Sequence, residues 1–206
     1  MGLYRDRIAP RITHVLCGSG RIHAERAKIV PAAEGVIVEI GIGSGHNLSL
    51  YRPGQVKQVI GVEPQPEMLR LGEKAFAGAP VPVELRQGVA EDLPLDDNSA
   101  DTAVVTFTLC SVAEAEQALA ELRRVLKPTG RMLILEHGLS DDAAVARWQN
   151  RIDPVWTRLA VGCHINRPMI SLVEAAGFAF EHTDTFYLKG APRTLGWHSR
   201  GVAVPR

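Results

Sequence analysis

The apolar run Val36-Ile37-Val38-Glu39-Ile40 leads directly into Gly41-Ile42-Gly43-Ser44-Gly45, so three glycines stand at alternate positions after a strand-like segment. Glycine lets the chain turn tightly and brings backbone N–H groups close to a ligand. A helix starting beyond the turn would add unpaired donors. Such a turn suits a nucleotide-like ligand, although loops of this composition also serve packing alone. The next strand ends Ile60-Gly61-Val62-Glu63-Pro64, which puts a carboxylate where a ribose diol lies in a doubly wound fold. Glu63 equally reads as a cap for the following helix. A dinucleotide fingerprint requires a glycine where His46 stands, and here the third glycine comes one residue early. Glu39, just before the glycines, is a poor neighbour for a diphosphate and a favourable one for an ammonium or sulfonium group.

The elements that must hold these residues alternate in kind. Strands are predicted over Gly35 to Ile40, Gln58 to Glu63, Val83 to Arg86, Thr102 to Phe107 and Arg131 to His137. Helices are predicted from about His46, over about Pro66 to Phe76, and over about Glu114 to Leu126. Strands alternating with helices imply parallel crossovers and a doubly wound α/β sheet. Leu119, Leu122 and Leu126 share one face of their helix, and Lys127-Pro128-Thr129-Gly130 stops it. The last third reads as a mixed segment from Asp141 to Cys163, a helix over about Arg167 to Ala176, and two β-like runs, Phe178 to Leu188 and Gly196 to Val204. These runs are expected to form an antiparallel terminal hairpin.

The length, 206 residues, fits one domain, and 23 basic residues balance 23 acidic ones, so nothing drives the chain toward nucleic acid. Cys17, Cys110 and Cys163 are scattered and in no C-x-x-C pair. That spacing argues against a disulfide scaffold or a structural zinc site, and it suits a reducing cytoplasm. The amino-terminal stretch to Pro10 lacks the apolar core of a secretory signal, and no apolar run approaches the ~20 residues of a membrane span. Any membrane contact is therefore expected at the surface.

The motif from Val36 to Gly45 resembles the first motif of the class I S-adenosylmethionine-dependent methyltransferases. The resemblance continues through Glu63, through Gly88 to Asp101 (GVAEDLPLDDNSAD), and through Leu122 to Arg131 (LRRVLKPTGR), where Thr129 replaces a customary glycine. It implies a mostly parallel, seven-stranded Rossmann-like sheet with S-adenosylmethionine as cofactor and S-adenosylhomocysteine as product. By position it implies that Gly41, Gly43 and Gly45 line the methionine and ribose portions, with Glu39 near the amino group. Glu63 would accept from the ribose hydroxyls, Met68 would border the adenine, and Glu91 or Asp92, after Ala90, would meet its amino edge. Ser44, Asn47 and Pro64 complete that set. Thr106 to Val112 would form the floor beneath the sulfonium, with Leu109 and Cys110 closest. Met68 equally reads as core, and Cys110 as a small packed residue rather than a nucleophile. Asp96 and Asp97 read as an ordinary acidic turn.

Asp153-Pro154-Val155-Trp156 and Gly162-Cys163-His164-Ile165-Asn166-Arg167 narrow the likeness to a branch holding thiol S-methyltransferases and soluble phospholipid N-methyltransferases. That branch implies a helical lid over 1–34, a cofactor core over 35–137, an acceptor-site helical insertion over 138–176 and terminal strands over 177–206. The expected acceptor is a small or lipid-like apolar molecule bearing a thiol or amine. Its deprotonation would be assisted by His137 or His164. Trp156 and His164 equally read as packing the insertion against the sheet, and adjacent Cys163 and His164 make a poor metal pair, so no metal is expected. Two other readings are a nicotinamide-dependent oxidoreductase on a similar fold and a cofactor-binding protein without turnover.

Overall fold

The computed structural model describes residues 2–206. Seven strands form one sheet in the order β3-β2-β1-β4-β5-β7-β6. They are β1 Gly35–Ile40, β2 Val56–Glu63, β3 Val83–Gln87, β4 Ala100–Thr106, β5 Leu126–His137, β6 Phe178–Tyr187 and β7 Trp197–Pro205. The first five run parallel, and β7 lies antiparallel between β5 and β6. The expected doubly wound sheet and terminal hairpin are both present.

The parallel strands are buried on both faces, as a sheet covered on both sides requires. In β1 and β5 successive side chains enter opposite layers. Val38, Ile40, Met132 and Ile134 join a core with Leu119 and Leu122 of the helical side and with Leu126, which opens β5 instead of ending the predicted helix. Ile37, Leu133 and Leu135 join the opposite core with Val30, Leu48 and Tyr51. The chain leaves β1 toward β2 on one side and β4 on the other, so the crevice at the carboxyl ends of β1 and β4 is the topological switch point where ligands bind in such sheets.

Eight α-helices accompany the sheet among the described residues: α1 Ala9–Cys17, α2 Gly20–Arg26, α3 Pro66–Leu71, α4 Glu73–Ala77, α5 Ala115–Val125, α6 Ala143–Leu159, α7 Met169–Ala175 and α8 Arg193–Gly196. Three differ from expectation. After the glycine turn there is only a 3-10 turn, Leu48–Leu50, instead of a helix from His46. Pro53 and Gly54 follow closely, and Asn47 turns its amide inward to bond Glu39. The predicted helix from Pro66 to Phe76 breaks at Gly72, where a Cβ would come within 2.8 Å of Ser44 Cα. The segment left as mixed, Asp141 to Cys163, holds the longest helix, α6, whose start is capped by Asp142 accepting from Ala144 and Val145 N–H. Pro154 sits inside that helix.

The Lys-Pro-Thr-Gly turn is a register shift within β5, between the pairs Ala100↔Leu126 and Thr102↔Arg131. There Lys127 Nζ meets Asp101 Oδ1 at 2.6 Å, and Asp101 Oδ2 accepts from Val36 N–H at 2.8 Å. Asp101 thus ties three strands together at the edge opposite the crevice.

Candidate active site

Gly41, Gly43 and Gly45 all hold positive φ, at 60°, 57° and 77°, a region costly for residues with a Cβ. Their surroundings differ. A Cβ on Gly41 would strike Thr108, and one on Gly45 would strike Leu48, so these two are required by packing. On Gly43 it would face Met68 Cε at 3.0 Å and Glu63 Oε2 at 4.0 Å. Gly43 is therefore the glycine that looks across the loop toward the end of β2. Glu63 accepts there from Gly43 N–H at 2.9 Å and from Gln65 N–H at 3.0 Å, so it both clamps the glycine turn and caps the approach to α3. Burial raises its pKa against those two hydrogen bonds. Pro64 bends the chain between them.

Glu39 is buried on the Ile37 side of β1. It accepts from Tyr51 Oη at 2.5 Å and from Asn47 Nδ2 at 2.9 Å. Burial pushes its pKa up to about 7, against the opposing pull of Tyr51, Arg26 and Asn47. Arg26, from α2, completes this network and was not singled out from the sequence. It is 4% exposed, donates to Asn47 Oδ1 at 2.8 Å and to Thr106 Oγ1, and lies over the Phe107 ring. Thr106 Oγ1 also accepts from Asn47 Nδ2 at 3.0 Å. Arg26 Nε is buried without a hydrogen-bond partner among the described residues, which leaves one guanidinium donor unsatisfied. Ser44 contacts His14 Nδ1 at 2.6 Å and His46 Nε2 at 3.1 Å, and the two rings stack, so α1 closes over the glycine loop. Burial, then Arg26 and His14, lowers the His46 pKa to about 4.

The chain turns sharply after β4 at Phe107, whose φ is 58°. That conformation is held by Glu136, a second residue missed in the sequence, where it reads as an ordinary strand position. Its fully buried carboxylate accepts from the N–H groups of Thr108, Leu109 at 2.9 Å and Cys110 at 3.3 Å. Leu109 and Cys110 thus present their backbone to Glu136 while their side chains join the core.

The residues expected at the adenine edge are engaged elsewhere. Glu91 accepts from Ala113 and Glu114 N–H at 2.9 and 3.2 Å, holding the start of α5. Asp92 is exposed and Ala90 joins the core. His164 donates its backbone N–H to Cys110 O at 2.7 Å and pairs its Nδ1 with Asp153 Oδ2 at 2.8 Å. Arg167 donates to Leu109 O and to Val112 O, so the end of the insertion is fastened to the loop after β4. His137, the last residue of β5, places Nε2 3.2 Å from Cys163 Sγ.

The arrangement offers a carboxylate and an orphaned guanidinium donor at one end of the crevice, and a second carboxylate beside Gly43 at the other. A ligand carrying an amino acid moiety joined to a nucleoside matches that donor and acceptor set. A methyltransferase domain model matches residues 38–134. The chain is 34% identical over 150 residues to the thiol S-methyltransferase TMT1B of Rattus norvegicus, covering 71% of this chain and 61% of that protein. It is 33% identical over 177 residues to thiol S-methyltransferase TMT1B of Homo sapiens, covering 82% and 70%. A solved SAM-dependent methyltransferase of Thermotoga maritima superposes with a TM-score of 0.69 at 22% identity over 98% of each chain. The chain therefore belongs to the S-adenosylmethionine-dependent methyltransferase family, which makes S-adenosylmethionine its cofactor and removes the nicotinamide reading.

Proposed function

We propose that this protein methylates a small or lipid-like apolar acceptor bearing a thiol or an amine, with a thiol favoured. The observation that carries the donor half is the buried Glu39–Asn47–Arg26 network at the switch point. Arg26 Nε would take the methionine carboxylate, Glu39 the amino group, Glu63 the ribose hydroxyls, and Met68 would border the adenine. When bound, S-adenosylmethionine supplies an electrophilic methyl on its sulfonium. The protein's own task is to align the acceptor and keep water out. The helices α1 and α2 serve that end as a lid within 2–34, through His14 and Arg26, and the insertion over 138–176 forms the opposite wall; residue 1 lies outside the described residues.

A thiol or amine must lose its proton before attack. His164 has the geometry for this: Asp153 orients its Nδ1, and its Nε2 has no partner among the described residues. The thiol preference follows the printed activity of the human and rat relatives. Helices α1 and α6 each expose apolar side chains, Ile12, Val15 and Leu16 on the first and Trp148, Val155 and Leu159 on the second. Tyr4 Oη, in the turn Tyr4–Ile8 before α1, donates to Leu159 O at the end of α6 at 2.5 Å and brings the two together; Arg5 and Arg7 lie in that turn, Arg11 in α1, and Arg147, Arg151 and Arg158 in α6. These apolar and basic side chains are suited to the surface of an anionic membrane from which an apolar acceptor is drawn. No helix among the described residues is long and apolar enough to cross one. Free cysteines fit a reducing cytoplasm.

The test is S-adenosylhomocysteine production with alkyl thiols, phosphatidylethanolamine and quinol precursors. Turnover of thiols is expected, and activity confined to protein or RNA would remove the reading. Sedimentation with anionic but not neutral vesicles, weakened in Trp148→Ser and Leu159→Ser, checks the membrane face.

A further inference from the structure

Cys110, His137 and Cys163 lie far apart in the chain, in the loop after β4, at the last position of β5 and at the end of the insertion. The fold gathers them at the carboxyl edge of the sheet. One donor atom from each lies within 4.8 Å of the other two, and His137 Nε2 is 3.2 Å from Cys163 Sγ. We propose that these three side chains bind a zinc(II)-class cation, leaving a fourth tetrahedral position for the sulfur of the acceptor.

With zinc–sulfur bonds of about 2.3 Å and zinc–nitrogen bonds of about 2.0–2.1 Å, tetrahedral donors stand roughly 3.6 Å apart, and the observed cluster is within a small adjustment of that spacing. Two thiols and an imidazole select a borderline-soft ion over magnesium or calcium. Three protein donors are the number that catalytic zinc sites use, whereas structural sites use four. Each donor is also independently fixed. The Cys110 backbone is held by Glu136 on its N–H and by His164 on its carbonyl. The His137 ring packs against Phe107 and His198. Cys163 follows Val161 and Gly162, both at positive φ, 50° and 97°. A β-branched residue in that region is rare, and the double turn carries Cys163 back toward the sheet.

Metal binding releases one proton from each cysteine thiol and changes no oxidation state. An acceptor thiol entering the fourth position loses its own proton to solvent or to His164. Its sulfur then forms the new S–C bond as the sulfonium C–S bond breaks and its electron pair stays on the departing sulfur. The acceptor half of the proposal rests on the thiol reading above, whereas the metal half does not.

The test uses the full chain purified under reducing conditions, loaded with zinc, dialysed and analysed for metal by mass spectrometry, with cobalt(II) as a spectroscopic substitute. About one equivalent of zinc per chain and thiolate-to-cobalt absorption are expected. Cys110→Ser, Cys163→Ser and His137→Ala should each weaken zinc binding at least about tenfold, while a cooperative thermal melt shows that each variant is folded. Cys17→Ser should keep its zinc; loss there would mean a closed four-ligand site and overturn the open position. No zinc uptake by fully reduced protein, or a Cys110–Cys163 disulfide as the only product of the cluster, overturns the metal site. Thiol turnover undiminished in zinc-free protein overturns the activating role alone. Zinc binding without any thiol turnover leaves the site standing and removes the thiol reading.

Discussion

Replacing Glu39 by glutamine separates the charge of this residue from its shape. The carboxylate is fully buried and its pKa rises from an ordinary 4.5 to about 7, chiefly through burial. A raised folded-state pKa means that the folded chain holds the proton more tightly than the unfolded one. Its contribution to stability is complete below about 4.5 and is lost as pH rises through about 7. The difference, 7 minus 4.5, is about 2.5 pH units, or about 3 kcal/mol at 1.36 kcal/mol per unit. Wild-type stability should therefore fall by up to about 3 kcal/mol relative to Glu39→Gln between pH 4.5 and 8. Tyr51 and Asn47 donate to different oxygens of this side chain, and the amide keeps both contacts by accepting from Asn47 and donating to the Tyr51 hydroxyl oxygen. Cofactor affinity should carry the opposite sign, because an ammonium group favours the ionised acid. S-adenosylhomocysteine should bind about tenfold more weakly at pH 6 than at pH 8 in the wild type, whereas the variant is weak and flat across that range. Urea melts and calorimetry at pH 5, 6, 7 and 8 measure both. Parallel stability curves together with an unchanged, pH-independent Kd in the variant would refute the assignment.

Arg26→Lys keeps the charge but not the forked donor set, so S-adenosylhomocysteine affinity should drop at least about tenfold, with Arg26→Ala no better; calorimetry checks this. Gly43→Ala meets Met68 Cε at 3.0 Å in a left-handed backbone and should lose about tenfold or more in cofactor affinity at a stability cost of about 1–2 kcal/mol. Gly20→Ala, with no heavy atom within 4 Å of the new Cβ, should leave binding unchanged and stabilise by up to about 1 kcal/mol in thermal melts. Glu136→Ala strands three backbone N–H groups, and urea unfolding should show a loss of about 3 kcal/mol or more, since each orphan costs about 1–3.

What could be read from the sequence was whatever is contiguous. The strand, the three glycines and Glu63 form local patterns, and the structure joins them through one hydrogen bond from Gly43 to Glu63. The insertion reads as helical as a whole, but the bounds of α6 within it do not, because Pro154 obscures the stretch, although Asp142 before two alanines is a start signal. The shortened helix after Gly45 was misread for the opposite reason: Asn47 is recruited to Glu39, a tertiary demand that local propensity does not encode. Arg26 left no trace, since it sits among charged residues in a short helix and becomes a site residue only because α2 folds across β1 and β4. The meeting of Cys110 with Cys163 and His137 is likewise a product of topology, and their spacing along the chain concealed it.

Three buried glutamates occupy the carboxyl edge of this sheet, and the groups that bond them assign them different work. Glu136 faces three backbone N–H groups, which cannot move away without unfolding the loop after β4. Glu63 faces two, from the glycine turn and from the residue before α3. Both carboxylates are therefore matched by rigid dipoles. Glu39 alone is met only by side chains, a phenol and an amide, and the one nearby cation, Arg26, reaches it through Asn47 rather than directly. No fixed backbone dipole meets its charge, and burial, which raises all three pKa values, brings this one to about 7. A ligand that brings an ammonium to Glu39 and a carboxylate to the unpartnered Nε of Arg26 corrects both deficits at once. A neutral nucleoside alone corrects neither, so on the proposed placement of the cofactor discrimination at this end of the crevice falls to the amino acid part of the ligand.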